Sequence, residues 1–138
     1  MDRINMFTCI VGIGVDSIEI GRVRKACERE HFVKRIFTEA EIRQFDSRKI
    51  RAASDFAGKE AVSKVFGTGF SGCQPAEIEV LRDEKGAPYV NLYGGAKEIA
   101  GRLGIKELKI SITNTVDTAT AFVIGCGGCQ EFSEEGVQ

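Results

Sequence analysis

Glu60 and Lys64 stand four residues apart inside Asp55-Phe56-Ala57-Gly58-Lys59-Glu60-Ala61-Val62-Ser63-Lys64-Val65-Phe66. The segment is rich in Ala, Glu, Lys, Phe and Val, lacks proline and runs into Gly67 and Gly69, which predicts a helix. That spacing lets the two charges touch. At about 100° per residue, counted from Ala53, the side chains of Ala53, Phe56 and Ala57 share one side. Ala61, Val65, Val62 and Phe66 continue around the cylinder, so the helix is expected to be largely buried. Glu60 and Lys64 fall in the middle of the side that Ala53, Phe56 and Ala57 define. Charge there is costly unless it is paired or bound to something. An ion pair on a solvated face is the plainer reading, and the apolar surroundings weigh against it.

Three further stretches bear on chemistry. Residues 6–15 read as a buried strand through Phe7, Ile10, Val11, Ile13 and Val15. Gly12 and Gly14 are interleaved and let another backbone or a ligand come close. Asp16 sits where that strand ends. An acid there repels a bare phosphate, so a phosphate site would need a metal ion between them. The pair Gly12-x-Gly14 lacks the third glycine of a dinucleotide fingerprint, because position 17 is Ser. Gly67-Thr68-Gly69-Phe70-Ser71-Gly72 follows the central helix directly. Such a loop can aim several N–H groups at an anion, or simply turn the chain. Cys126-Gly127-Gly128-Cys129 is a single CxxC with no nearby histidine. Unligated thiols are favoured there over half a zinc site or a redox pair.

The elements that must position these residues mix helix and strand. Ser17 caps a helix running to about residue 30, with Ile20, Val23 and Cys27 as its apolar stripe. Arg22, Lys25 and Arg29 recur at three- and four-residue spacing and line one exposed face. His31, the only histidine, reads as a surface residue. Thr38-Glu39-Ala40-Glu41 is a capping box that opens a helix to about residue 45. A polar link leads to the central helix, which begins near Arg51. Residues 78–81 and 89–92 form a hairpin around Asp83-Glu84-Lys85-Gly86. Residues 96–103 are a short helix stopped by Gly104. Residues 109–113 and 118–124 are two more strands. The tail from Cys126 is rich in Gly and Glu and is expected to fray.

A chain of 138 residues fits one domain with its own core. Its 43% hydrophobic and 28% charged content is ordinary for a soluble globular protein. No long uncharged apolar run predicts a membrane span. Met1-Asp2-Arg3-Ile4-Asn5 carries acid and base ahead of a short apolar segment, which predicts no signal peptide. Five scattered cysteines predict reduced thiols in a cytoplasm. The net charge of −1 hides an imbalance. Residues 22–64 hold twelve Lys/Arg against seven Asp/Glu, and residues 65–138 hold six against ten. A basic front half fits an anionic partner, or equally a set of solvated helices. It has no aromatic platform or motif for nucleic acid.

Ile13-Gly14-Val15-Asp16, the Phe56-Ala57-x-Lys59-Glu60-Ala61-x-x-Lys64 helix and Gly67-Thr68-Gly69 resemble, in this order, the holo-acyl-carrier-protein synthases. These belong to the 4′-phosphopantetheinyl transferases. The Thr38-to-Glu41 box, Gly86-Ala87-Pro88 in the hairpin and the Ser111-Ile112-Thr113 strand fit too, so the likeness spans about residues 10–125. It implies a single-domain α+β fold over residues 1–125, mainly antiparallel sheet packed on helices, with 126–138 as a flexible tail. It implies a homotrimer with each active site between two subunits. It implies Mg²⁺-dependent transfer of phosphopantetheine from coenzyme A to a serine of apo acyl carrier protein, releasing 3′,5′-ADP. Neither membrane nor nucleic acid is an expected partner.

By this likeness Asp16 and Glu60 are metal ligands, and Asp16, Glu60 and Lys64 are catalytic. Glu60 is the candidate base for the serine hydroxyl, directly or through a water on the ion. Lys64 balances charge on the breaking diphosphate. Lys59, Lys64, Gly67, Thr68, Gly69, Gly86 and Pro88 are expected coenzyme A contacts, the last two at the adenine end. Arg22, Lys25 and Arg35 are expected to dock the acidic carrier protein. Four positions depart from the pattern. Asp55 stands where many relatives have Arg, which removes a partner for the coenzyme A 3′-phosphate. Lys109 and Asn114 stand where relatives often have histidines, and Ala87 replaces a common Lys. These departures are the only support for a rival, a catalytically silent trimeric module that binds carrier protein or nucleotide.

Overall fold

Three glycines let the longest helix lie against the main sheet in the computed structural model, which describes residues 7–130. In chain order the elements are β1 (Phe7–Glu19), α1 (Ile20–Ala26), α2 (Glu30–Ile36), α3 (Glu39–Arg43) and α4 (Ile50–Phe66). A short 3-10 turn (Pro75–Glu77) leads into β2 (Ile78–Arg82) and β3 (Pro88–Leu92). Then come α5 (Gly94–Leu103), β4 (Ile105–Asn114) and β5 (Thr118–Gln130). The strands make two antiparallel sheets, β1-β5-β4 and the hairpin β2-β3. The α+β expectation holds.

Helix α4 packs on the β1-β5-β4 sheet at very short range. A side chain at Gly14 would overlap the Ala61 carbonyl oxygen, and one at Gly12 would lie 2.8 Å from the Val65 oxygen. One at Gly125 would lie 2.7 Å from the Val65 side chain. Ala57, Ala61, Val62 and Val65 of α4 share a core with Ile78, Ile99, Ala121 and Val123. A second core joins Ile20, Val23, Ile36 and Phe37 to Ala52 and Ala53. Phe32 meets Phe37 and Phe56 edge-on there, at 6.2 and 6.1 Å between ring centres.

The sheet corrects four expectations. Ser17 caps no helix. β1 continues to Glu19 because Ser17, Ile18 and Glu19 still pair with Thr120, Ala119 and Thr118, so Asp16 lies inside the strand. The helix expected to reach residue 30 stops at Ala26, and α2 starts anew, because the chain must turn to pack Phe32 against Phe37 and Phe56. β1 is not buried on both faces. Its glycine face takes α4, so Ile13 and Val15 point outward, 61% and 52% exposed. The tail does not fray at Cys126. β5 runs on to Gln130, with Cys126 opposite Ile10 and Gln130 opposite Phe7. The rest of the expected tail, 131–138, lies outside the described residues.

The close approach predicts an asymmetry between two glycines. Gly14→Ala should overpack the α4–β1 contact and cost about 1–3 kcal/mol or more in urea unfolding. Gly21→Ala, in α1 with open space around it, should gain up to ~1 kcal/mol from helix propensity. Equal stability of the two variants would show that backbone contact at Gly14 is not what seats the helix.

Candidate active site

Asp16 and Lys64 meet where β1 passes α4. The pleat puts Asp16 on the same face as Gly14, toward the helix, and Lys64 is one turn beyond Glu60. The Lys64 Nζ donates to Asp16 Oδ1 and to the Val15 carbonyl oxygen, both at 3.0 Å. Glu60 is half-buried beside them. Burial pushes its pKa up, the Asp16 charge adds to the rise, and Lys64 opposes it. So Asp16, Glu60 and Lys64 form one group, but the expected contact of Glu60 with Lys64 is replaced by Lys64 with Asp16. Nor do the two α4 charges lie on a buried face. Lys64 is 53% exposed, because that side of α4 runs along the edge strand, where the sheet ends.

The buried charges of α4 are Lys59 and Asp55 instead. Lys59 is wholly enclosed. Its ammonium donates to Glu41 Oε1 at 2.8 Å, to the Pro75 oxygen at 3.0 Å and to the Ile78 oxygen at 2.6 Å. Those three bonds use all its donors, so Lys59 is corrected from a coenzyme A contact to an internal strut. Burial lowers its pKa, with Glu41 working against the fall. Glu41 closes the Thr38 capping box and also accepts from Val80 N at 2.8 Å. Asp55 is buried and paired with Arg82 of β2. Burial drives the Asp55 carboxyl up to about 7, against the pull of Arg82. The capping box was legible, but its second bond, to Lys59, was not. Arg82 was missed as well. The signal for it was Asp55 itself, an acid on a helix side that needs a partner.

The other expected site residues are spread over two further places. Gly86, at φ +88°, and Pro88 line a cleft of about 380 Å³ with Arg51, Ser54, Arg82 and Asn114. This cleft reaches β4, on the opposite edge of the sheet from Asp16, so one chain does not bring the two ends together. Arg22 and Lys25 rim a groove of about 630 Å³ with Ile18, Phe32 and Phe56 at its walls. Arg29 also lines it, but from the start of α2 rather than from one face of α1. Arg35 is exposed on α2 outside the groove. In the glycine loop, the Gly67 N–H is bound to the Lys64 carbonyl, and the loop leaves the negative end of α4. That leaves Thr68 and Gly69 as the remaining anion contacts expected of this loop. The departures have partners of their own: Asp55 with Arg82, Lys109 with Glu107 at 3.0 Å, and Asn114 with Ser54 at 3.1 Å. Ala87 donates its N–H to Asp83 at 2.9 Å. Among the described residues no three or more His, Cys, Asp or Glu gather as a metal cluster.

Residues 12–122 match the family model of the 4′-phosphopantetheinyl transferase superfamily. The chain belongs to that superfamily. It is 54% identical over 116 residues to a holo-[acyl-carrier-protein] synthase of Lachnoclostridium phytofermentans, covering 84% of this chain and 95% of the relative. Among solved structures, the acyl carrier protein synthase of Plasmodium yoelii with ADP bound superimposes with a TM-score of 0.79 at 30% identity. That match covers 88% of this chain and 98% of the other. The Helicobacter pylori holo-[acyl-carrier-protein] synthase in complex with coenzyme A gives 0.70 at 30% identity, over 80% and 96% of the two chains. The phosphopantetheinyl transferase resemblance read from the motifs is therefore confirmed, and with it the enzyme class.

Lys59 and Glu60 are adjacent yet predicted to fail differently. Lys59→Ala leaves the Glu41 carboxylate buried without its cation and should cost about 3–5 kcal/mol of stability. Glu60→Gln at its half-buried position should stay within about 1 kcal/mol of the parent in the same urea titration. A Lys59→Ala protein as stable as the parent would return Lys59 to the list of ligand contacts.

Proposed function

We infer that the protein transfers the 4′-phosphopantetheine arm of coenzyme A to a serine hydroxyl of apo acyl carrier protein, releasing 3′,5′-ADP. The observation that carries this reading is the Asp16–Lys64 contact beside Glu60, two acids and an ammonium gathered from β1 and α4. Asp16 and Glu60 are the residues that would hold Mg²⁺. Their oxygens are hard donors, and a cation relieves the repulsion that helps raise Glu60. Two carboxylates leave room for diphosphate oxygens and water, which suits magnesium. Bound there, the ion supplies neutralising charge to the diphosphate.

Glu60, made more basic by burial, takes the serine proton. The serine oxygen forms a bond to the phosphorus that carries the pantetheine. The bond from that phosphorus to the bridging oxygen breaks, and its electron pair leaves with 3′,5′-ADP. Lys64, held in place by Val15 and Asp16, balances the charge that builds there. In this reading Thr68 and Gly69, in the loop just after α4, hold a phosphate edge, and Gly86 and Pro88 take the adenine end in their cleft.

Two features favour a homotrimer with its sites between subunits. Ile13, Val15 and Phe122 form an exposed apolar strip across β1 and β5, with Val15 directly opposite Phe122. Such a strip marks an interaction surface. The acids and the hairpin cleft occupy opposite sheet edges, and a neighbouring copy can bring one to the other. Residues 1–125 are the catalytic domain in this reading, with β5 running on to Gln130. The groove rimmed by Arg22 and Lys25 offers apolar walls and a cationic lip to an acidic helical carrier, and Arg35 extends the basic surface. Free thiols at Cys9, Cys27, Cys73 and Cys126 suit a reducing cytoplasm. No helix among the described residues is long and apolar enough to cross a membrane.

Incubation with coenzyme A, Mg²⁺ and apo carrier protein should add the phosphopantetheine mass to the carrier. Glu60→Gln should abolish that addition while gel filtration and circular dichroism stay unchanged. Near-normal turnover by Glu60→Gln would remove the base and metal assignment, and no mass on any carrier with the parent protein would favour the silent module. Arg22→Glu should slow carrier modification at least tenfold through lost steering while coenzyme A affinity holds. Equal loss of both would end the docking role.

A further inference from the structure

The hairpin and the main sheet meet at two strand edges that leave a trench between them. β3 is hydrogen-bonded only to β2, and β4 only to β5. Among the described residues no backbone hydrogen bond joins β3 to β4. The trench between them has a volume of about 440 Å³. Val90 and Leu92 of β3 and Ile105 and Leu108 of β4 give it apolar walls, with Ile105 buried and the other three half-buried. Every second residue of an edge strand turns its N–H and C=O away from its one partner. Open backbone donors and acceptors therefore line the trench alongside the apolar side chains. Left uncovered, such edges invite pairing with another chain.

Charge and position point to an occupant. Lys97 of α5 and Lys106 of β4 stand exposed at the trench, and neither has an ion-pair partner among the described residues. Glu107, the one acid among the lining residues, is held by Lys109 at 3.0 Å. β5 passes the head of the trench. Gly127 is opposite Ile105, and a side chain on Gly128 would lie 3.5 Å from Lys106 Cγ. The sequence then continues Glu131-Phe132-Ser133-Glu134-Glu135-Gly136-Val137-Gln138, with three acids, two apolar residues and no Lys, Arg or Pro. At ~3.3 Å per residue, these eight residues reach about 26 Å, more than twice the ~10 Å of strand from Ile105 to Leu108.

We propose that residues 131–138 of this chain dock along the trench in extended form, with Phe132 against its apolar walls and the glutamates on Lys97 and Lys106. Their backbone groups meet the open edges of β3 and β4, as an added strand does. Burial of Phe132 supplies most of the affinity, since exposed ion pairs contribute little and chiefly select the partner. The docked segment covers edges that would otherwise template association.

The chain has no tryptophan, so Phe132→Trp places a single indole in the segment. Its emission should be blue-shifted, and adding Lys97→Glu/Lys106→Glu should return it to that of a water-exposed indole. Removal of residues 131–138 should speed hydrogen exchange at the amides of residues 89–92 and 106–108 about tenfold. If the shortened protein does not fold, the same exchange comparison is made between the full chain and its Lys97→Glu/Lys106→Glu variant. A water-exposed indole in the Phe132→Trp protein overturns the proposal. So does a sheltered indole that the two lysine substitutions leave sheltered, which puts the segment elsewhere. A blue shift lost on dilution puts it on another copy and overturns the proposal as well. Exchange in the trench that is unchanged by removing the segment does the same.

Discussion

Where α4 crosses β1 the two elements touch backbone to backbone, with the Ala61 carbonyl filling the space a side chain at Gly14 would need. That distance has consequences on both sides of the contact. It draws Lys64 within reach of the Val15 carbonyl and of Asp16, and it leaves Glu60 half-sheltered beside them. The partial shelter matters chemically. In the proposed base role, a fully exposed Glu60 would be too weak, and a fully buried one could not meet substrate. The same contact forces β1 to present its other face outward, so Ile13 and Val15 lose the cover that the sequence pattern suggested. One constraint therefore makes both the Asp16–Lys64 corner and the apolar strip.

A second set of interactions keeps α4 from sliding along the strand. Lys59 ties it to α3 through Glu41 and to the start of the hairpin through Pro75 and Ile78. Glu41 in turn binds Val80 in β2. Buried ion pairs often contribute little net stability compared with apolar replacements, but they specify geometry when every donor is satisfied. Here one ammonium and one carboxylate fix three elements at a point. The register of Glu60 and Lys64 against Asp16 depends on that point, one residue and five residues away along the same helix.

Much of the site was legible because its residues sit at fixed helical and strand periods. The glycines before Asp16 and the Thr38 capping box translate directly into geometry, whereas the Glu60-to-Lys64 spacing does not, because Lys64 turns to Asp16. What was not legible depends on partners distant in sequence. A helical wheel assigns faces relative to the helix alone. It cannot know that the sheet ends beside Lys64, or that Glu41 waits opposite Lys59. The continuation of β1 through Ser17 was hidden for a similar reason. Ser is a good cap by local propensity, but ladder pairing with β5, including the 2.7 Å hydroxyl contact to Thr120, outweighs it. The strand past Cys126 survives its glycines because β1 and β4 pair with it through Gly127 and Cys126.

The division of the site across the sheet then gains a physical reading. Asp16 on β1 and Ile112 on β4 flank Ala121 of β5 in one cross-strand row, on the helix-facing side. The acidic corner lies at one end of that row and the hairpin cleft at the other, with α4 between them. No side-chain motion within one chain can bridge a packed helix. In the proposed function a ligand with negative groups at both ends, as coenzyme A has, is therefore better matched by two chains packed through their outer sheet faces than by one. The exposed strip of Ile13, Val15 and Phe122 is the surface that such an arrangement would cover. Assembly and substrate length would then be linked, since the reach between the two poles is set by how the outer sheet faces pack.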